Sequence, residues 1–325
     1  MSNKMVPLFL LCESPLHVGI GSDVGIVDMP IQRERHTNWP KIEASGIKGS
    51  IRESFERKYG GEDNKIIDIN LAFGYDANGL DDKIKAKIKN REYAGALGFT
   101  DARILLFPVK SMKGIFVWIT CPALLGRFFK DLKIAGVTDF DPNFLRMEKD
   151  CLSPGAGCKI EYEKGFKVIL EEFTLHGLGA KESCSKLGEW LSKNILPKDE
   201  VYSSLEEKMK KDVIILSDDM FGEFVSHSTE VITRTKIDNK TGTVKGAALF
   251  TEEYLPAETI MYTFAIASPL FGIAEKGESG NSVFKSGDSA EVIKFFKEGL
   301  NPVIQIGGNA TIGKGIVSTR LLEEV

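Results

Sequence analysis

No stretch of this sequence approaches the roughly 18–20 consecutive apolar residues that a membrane span needs. The apolar stretch at residues 7–12 is too brief for a signal-peptide core, and no small-residue cleavage site follows it. A cytoplasmic protein with no membrane partner is therefore expected. Paired cysteines are lacking too. Cys12, Cys121, Cys151, Cys158 and Cys184 are odd in number and irregularly spaced, which argues against a disulfide scaffold and for free thiols. Cys151, Cys158, His176 and Cys184 contain no CxxC pair, so a zinc site has nothing to anchor it. Nor is there an excess of positive charge: Lys and Arg number 42 against 46 Asp and Glu, a net charge of −4. That removes the whole-chain signal of a nucleic-acid binder but not a local one. Arg33, Arg35, Lys41, Lys48, Arg52, Arg57 and Lys58 crowd the N-terminal part.

What is present is an ordinary globular chain of 325 residues, 42% hydrophobic and 27% charged, long enough for a full core. Residues 7–13 read as a strand. Residues 14–40 have no helical period and carry Pro15, Gly19, Gly21 and Gly25, a long loop of the kind that is usually functional in compact domains. Ile47, Ile51, Phe55 and Tyr59 recur every four residues and predict a helix over 45–59, with Ser45 able to cap it and Gly60-Gly61 to stop it. A polar, charge-rich stretch covers 76–91. Strands are expected at 103–108 and 114–120, and a helix at 122–133. Residues 134–212 read as an insertion with helices near 186–194 and 205–211.

Residues 231–237 and 243–250, joined by Asp238-Asn239-Lys240-Thr241-Gly242, predict a hairpin made basic by Arg234, Lys236, Lys240 and Lys245. A strand at 259–266 follows it, so that hairpin and strand occupy about 229–262. Residues 290–300 form an amphipathic helix with Asp288 and Glu291 in capping-box positions. Strands at 303–306 and 316–321 flank a glycine loop. The order strand, helix, hairpin, helix, strand predicts an α+β protein: an RRM-like ferredoxin fold with a projecting β-hairpin and a helical insertion, one domain over 1–325.

Three motifs can carry chemistry. Gly307-Gly308-Asn309-Ala310-Thr311-Ile312-Gly313-Lys314-Gly315 offers exposed N–H groups and one lysine to a phosphate backbone. It is no P-loop, because Gly315 stands where Ser or Thr is needed, and no Rossmann fingerprint, because a strand follows. Its plain alternative is a tight strand connector. Ser45-Gly46-Ile47-Lys48-Gly49, with Arg52 one turn on, puts free N–H groups and positive charge at a helix start, which suits a phosphate; the alternative is a solvated basic face. In the loop, Asp28 sits among apolar neighbours, within reach of His17, Arg33 and Arg35. RNA cleavage by a 2′-hydroxyl needs in-line geometry, proton removal and charge stabilisation. Asp28 can take the proton or hold a divalent ion, and His17 can assist. Alternatively, both are structural loop residues.

Together these segments resemble a known family. Ser14-Pro15-Leu16-His17-Val18-Gly19 and Val27-Asp28-Met29-Pro30-Ile31-Gln32-Arg33-Glu34 resemble the N-terminal signature of the backbone subunit of type III-B (Cmr) CRISPR effectors, in the RAMP superfamily. Ala44-Ser45-Gly46-Ile47-Lys48-Gly49-Ser50-Ile51-Arg52 is similar to its helix start, and Phe99-Thr100-Asp101-Ala102-Arg103-Ile104-Leu105-Leu106-Phe107-Pro108-Val109-Lys110-Ser111 to its central strand. Glu252-Glu253-Tyr254-Leu255-Pro256 and the glycine loop are similar to its C-terminal half. The matches keep their order along nearly the whole chain and are thinnest over 134–212.

The resemblance implies a ferredoxin-fold palm with the hairpin as a thumb. It implies copies stacked head to tail along a CRISPR guide RNA beside the other Cmr-complex subunits, and cleavage of the complementary target RNA at regular intervals. It places the catalytic aspartate at Asp28, which is also the implied ligand of a divalent cation, Mg²⁺ or Mn²⁺. It places a second site residue at His17, and a thumb glutamate at Glu252 or Glu253, with Glu253 preferred. RNA contacts are expected at Ser45, Lys48, Gly49, Arg52, Gly307, Gly308, Gly313 and Lys314, and along the basic loop and hairpin at Arg33, Arg35, Arg234 and Lys236. Val231, Ile237, Ala247, Leu249 and Phe250 are the apolar hairpin residues able to wedge a duplex, or else to pack on the palm. Three alternatives remain: a structural guide-binding subunit that does not cut, a guide-processing RAMP nuclease that acts alone, and the equivalent subunit of a type III-A complex.

Overall fold

The computed structural model describes residues 3–22, 25–75, 94–138, 151–152, 167–176, 182–270 and 284–322. The first half of the chain gives β1 (Lys4–Cys12), β2 (Lys41–Ile42), α1 (Ala44–Tyr59), α2 (Asp63–Phe73), β3 (Leu97–Phe99), β4 (Ala102–Lys110), β5 (Phe116–Thr120) and α3 (Pro122–Ile134). The middle gives β6 (Cys151–Leu152), β7 (Lys167–Leu170), β8 (Phe173–His176), α4 (Glu182–Ile195), α5 (Ser203–Met209), β9 (Val213–Leu216) and α6 (Asp218–His227). The remainder gives β10 (Glu230–Ile237), β11 (Val244–Tyr254), β12 (Ile260–Ala267), α7 (Ser289–Gly299), β13 (Val303–Gln305) and β14 (Ile316–Leu321). The charge-rich stretch expected at 76–91 lies outside the described residues, as does Cys158.

Four strands form the heart of the sheet in the order β14-β1-β12-β4, every neighbour antiparallel. Counted along the chain these are the fourth, first, third and second strands of a β-α-β-β-α-β unit, the split arrangement of a ferredoxin-like fold. α1 follows the first strand and α7 the third. The sheet is extended on one side by β13 and on the other by β5, β9 and β6. β9 follows directly on the residues 134–212 that the sequence marked as an insertion, and lies parallel to β5.

β1 is apolar without alternation because both of its faces are covered. Side chains alternate between faces with a period of two. Phe9 and its cross-strand partner Tyr262 face Phe128 of α3, at ring separations of 6.1 and 4.8 Å. Odd-numbered β12 residues turn the other way. Ala265 pairs with Phe99, and Phe99 meets Phe296 of α7 at 5.6 Å. Phe55 of α1 completes that layer, stacked on Phe296 at 6.4 Å and near Phe295 and Phe73. The helices approach so closely there that a Cβ on Gly299 would lie 2.1 Å from Phe55 Cε1. One consequence touches function: α3 closes the sheet face on which an RRM stacks bases.

The expected stripe is real, with Ile47, Ile51 and Phe55 all fully buried. The cap is different. Ser45 lies inside the helix and makes no capping hydrogen bond; instead the Ala44 amide donates to Asp101 Oδ1 at 3.0 Å, from the start of β4. At α7 the capping reading holds: Asp288 Oδ1 accepts from the Ala290 and Glu291 amides, each at 2.9 Å. The hairpin runs four residues further than its sequence pattern, to Tyr254, and forms its own two-stranded sheet apart from the main one. Its turn closes through the Asp238 amide on Thr243 O and the Gly242 amide on Asp238 O, both 2.8 Å.

Candidate active site at the root of the hairpin

In an antiparallel ribbon, alternate residues aim their backbone groups at the partner strand and away from it. Along β11, Glu252 and Tyr254 face β10, leaving Thr251 and Glu253 with outward-facing N–H and C=O groups. The loop 14–33 takes all of them. The Met29 amide donates to Thr251 O (3.0 Å) and the Glu253 amide to Met29 O (3.0 Å). Leu16 and Leu255 exchange two bonds of 2.9 Å just beyond. The two remaining groups, Thr251 N and Glu253 O, go to the side chains of Asp28 and His17. Two residues of strand, about 7 Å, separate these attachment points.

Asp28 is exposed. Its Oδ2 accepts from the Thr251 amide (2.8 Å) and hydroxyl (2.9 Å), and its own amide donates to the same hydroxyl (3.0 Å). These bonds, the backbone one first, hold the Asp28 carboxyl below the usual aspartate range. Among the described residues Oδ1 has no hydrogen-bond partner. His17 is 7% exposed. Its Nδ1 lies 2.7 Å from Glu253 O, and a carbonyl only accepts, so Nδ1 carries the proton and Nε2 is the free nitrogen. The glycine loop packs against this histidine. The Gly308 amide donates to His17 O at 3.0 Å, and a Cβ on Gly307, whose φ is +75°, would fall 2.3 Å from that oxygen. Gly19 is tight in the same way, its missing Cβ lying 2.6 Å from Nε2.

The adjacent glutamates part company. The Glu253 carboxylate is buried and fully engaged, by Arg33 Nη2 (2.5 Å), the Thr229 hydroxyl (2.8 Å) and the Ile31 amide (3.0 Å). It braces the loop, and what it gives His17 is its carbonyl. Glu252 turns to the other side. There it accepts from the Tyr254 hydroxyl (2.6 Å) and Asn309 (3.2 Å) and pairs with Arg234. Burial pushes the Glu252 carboxyl up, but the Tyr254 and Asn309 hydrogen bonds and the charge of Arg234 outweigh it and leave it low. Tyr254 is the hub. Its hydroxyl also accepts from Arg234 (2.6 Å) and Asn309 (3.0 Å), its ring lies 5.4 Å from that of His17, and Lys314 Nζ sits 4.9 Å from the ring centre.

Three arginines taken from the sequence as RNA contacts are thus occupied internally. Arg33 adds bonds to Asn38 O (2.9 Å) and Val225 O (3.0 Å). Arg52 is held by Glu56, Gly74 O and Asn70, tying α1 to α2. Arg234 is locked between Glu252 and Tyr254. Arg35 and Lys236 remain exposed with no partner among the described residues. Lys48 is half-buried with no carboxylate partner among them, and burial, then the Arg52 charge, push its pKa down. Ser45 and Gly49 are exposed beside it. Gln32 joins this helix start to the loop, accepting from the Glu43 amide (2.7 Å) and donating to Gly19 O (3.3 Å). Thr251, Tyr254 and Asn309 were missed in the sequence. The period-two alternation along 251–255 was the available signal, since it separates Thr251 and Glu253 from Glu252 and Tyr254. Among the described residues no three ligand-type side chains converge on a metal position, and no helix is long and apolar enough to cross a membrane.

A ferredoxin-like sheet with a projecting hairpin and a lysine-bearing glycine loop at the hairpin's root places the chain in the RAMP class, and the RAMP superfamily model matches residues 9–318. The chain belongs to that superfamily. It is 34% identical, over 99% of its own length and 97% of the relative, to the CRISPR system Cmr endoribonuclease Cmr4 of Pyrococcus furiosus, and so falls within the Cmr4 family. Among solved structures it is similar to oligomeric Cmr4 from Pyrococcus furiosus, with a TM-score of 0.68, 28% identity and full coverage of both chains. The fold is shared with a chain of the type III-B Cmr-beta complex bound to cognate target RNA, with a TM-score of 0.69 and 21% identity over 98% of this chain and 96% of that one.

Proposed function

We propose that this chain is a guide-RNA-binding backbone subunit of a type III-B CRISPR effector, working in the cytoplasm and cutting the complementary target RNA beside Asp28. The observation that carries the reading is a solvent-facing carboxylate held by one oxygen at the root of a projecting hairpin, with a backbone-oriented histidine two strand residues away. In A-form RNA the 2′-oxygen is not in line with its phosphate. A hairpin that wedges into the guide–target duplex frees one nucleotide to rotate into line. Val231 and Leu249, 52% and 64% exposed, are apolar residues placed to do so. Copies stack head to tail along the guide beside the other complex subunits. Pairing with the guide supplies sequence specificity, and the protein reads backbone and shape. Residues 134–212 are an insertion within a single RAMP domain.

Asp28 is a poor proton acceptor, because its hydrogen bonds stabilise the ionised form and catalytic bases work best with a pKa near the operating pH. Its free Oδ1 therefore suits orienting the 2′-hydroxyl or holding an ion better than removing a proton outright. A divalent cation, Mg²⁺ or Mn²⁺, would be held on the protein side by Asp28 through its free Oδ1 and would supply charge neutralisation at the phosphate. His17, with Nε2 free of a proton, is the group that takes the proton of the attacking 2′-hydroxyl and returns it to the 5′-oxygen as that oxygen leaves. Glu252, with Tyr254, is the thumb carboxylate on this side. Lys48, Lys314, Lys236 and Arg35 are the charged phosphate contacts of this reading, and the small exposed Ser45, Gly49, Gly308 and Gly313 let the RNA backbone come close, the amides of Gly308 and Gly313 being taken by His17 O and Ala310 O.

The test is cleavage of labelled, guide-complementary RNA by the assembled complex, wild type beside Asp28→Asn. Regularly spaced products that vanish in the variant, with assembly intact, are expected. Identical ladders from both would make the chain a non-cutting scaffold.

A further inference from the structure

We infer that Thr251 is a positioning residue for the cleavage reaction: its hydroxyl fixes the rotation of the Asp28 carboxylate so that Oδ1 alone is presented to the RNA. This deepens the proposed function and rests on Asp28 being the cleavage residue.

A carboxylate's terminal torsion is broad and nearly two-fold, so an exposed aspartate samples many orientations. Asp28 is exposed, and no other side chain among the described residues hydrogen-bonds or ion-pairs with its carboxylate. Thr251 removes the freedom in three ways at once. Its amide and hydroxyl both donate to Oδ2, at 2.8 and 2.9 Å, and converge on one oxygen. The same hydroxyl accepts from the Asp28 amide at 3.0 Å, so it grips the backbone as well as the side chain. One donor and one acceptor of the hydroxyl are thereby used in a closed exchange between two residues. The amide alone sets a position, and the hydroxyl adds the second bond that fixes the tilt.

The placement of Thr251 adds meaning to the contact. It lies on β11, opposite Thr233 of β10, so the residue that aims Asp28 belongs to the hairpin itself. Met29, next in the chain to Asp28, is bonded to the same stretch of β11. A hairpin displaced by the RNA therefore carries the carboxylate with it, and distortion of the duplex and presentation of Oδ1 are one motion.

The experiment compares Thr251→Val, Thr251→Ser and Asp28→Asn in complexes assembled with guide RNA, by single-turnover cleavage of labelled target RNA. Valine keeps the shape of threonine and can make neither hydroxyl bond, while serine keeps both. Thr251→Val is expected to lose about 10–100-fold in rate, the usual cost of removing a partner that orients a functional group. Assembly and guide binding should be unchanged, and Thr251→Ser should stay within a few-fold of wild type. Adding Thr251→Val to Asp28→Asn should cost nothing further. Wild-type rates in Thr251→Val, or equal losses in the valine and serine variants, would overturn the inference while Asp28→Asn still abolishes cleavage. Full activity in Asp28→Asn would instead remove the reading on which it rests.

Discussion

The root and the tip of the hairpin are built on opposite terms. At the root, Arg33, Arg234, Glu252, Glu253, Tyr254 and Asn309 spend their polar groups on one another, and the loop bearing Asp28 is bonded along β11. At the tip, Lys236, Lys240 and Lys245 are exposed, and the described bonds are those of the turn and ladder themselves. The division follows side-chain chemistry. A guanidinium forks between several acceptors and suits a partly buried junction; an ammonium is a mobile, strongly hydrated charge. Arg33 and Arg234 build the site, and Lys236, Lys240 and Lys245 are left in solvent.

The largest effect expected from breaking that contrast is at Arg33. Arg33→Met leaves the Glu253 carboxylate buried without its cation, so the isolated chain should lose about 3–5 kcal/mol in urea unfolding, as when one partner of a buried pair is removed. A loss near zero would place Arg33 with the lysines, as a solvated charge. A finer test lies in the glycine loop. Gly307 and Gly313 share a φ of +75°, but only Gly307 has a backbone oxygen in the way. Gly307→Ala should cost about 2–4 kcal/mol, the left-handed penalty plus overpacking against His17. Gly313→Ala should cost about 1 kcal/mol. Equal losses by thermal or urea unfolding would mean that the loop does not depend on its approach to His17. The smallest effect on stability is expected at the tip. Lys236→Ala with Lys240→Ala should stay within about 0.5 kcal/mol of wild type. The pair should lower the slope of log affinity for RNA against log salt by about one unit per lysine.

Much of the scaffold was legible because it depends on local period. The Ile47-Ile51-Phe55 stripe, the Asp238–Gly242 turn and the Asp288 cap each lie within a few residues of what they organise. What was not legible depends on partners distant in the chain. Asp101 caps α1 from across 57 residues, so Ser45 was a reasonable but mistaken choice. Whether an arginine meets RNA or a carboxylate is decided by the fold: Arg33 and Glu253 are separated by 220 residues. The two glutamates at 252–253 are alike in type, and only the strand's edge assignment tells them apart. Asp28 and His17 were picked from one loop, but the strand that spaces them came from the far end of the sequence.

The seam between the loop and β11 has a consequence for colloidal behaviour. A strand edge with open N–H and C=O groups is a template on which any other extended chain can grow. Here the outer edge of β11 from Thr251 to Leu255 is already filled by residues 16, 17, 28 and 29, and the ribbon beyond relies on lysines and on the register shift near Thr235 and Ile237 to discourage strand addition. A segment read as catalytic thus also works as a stopper, and shortening it would expose a sticky edge as well as silence the site.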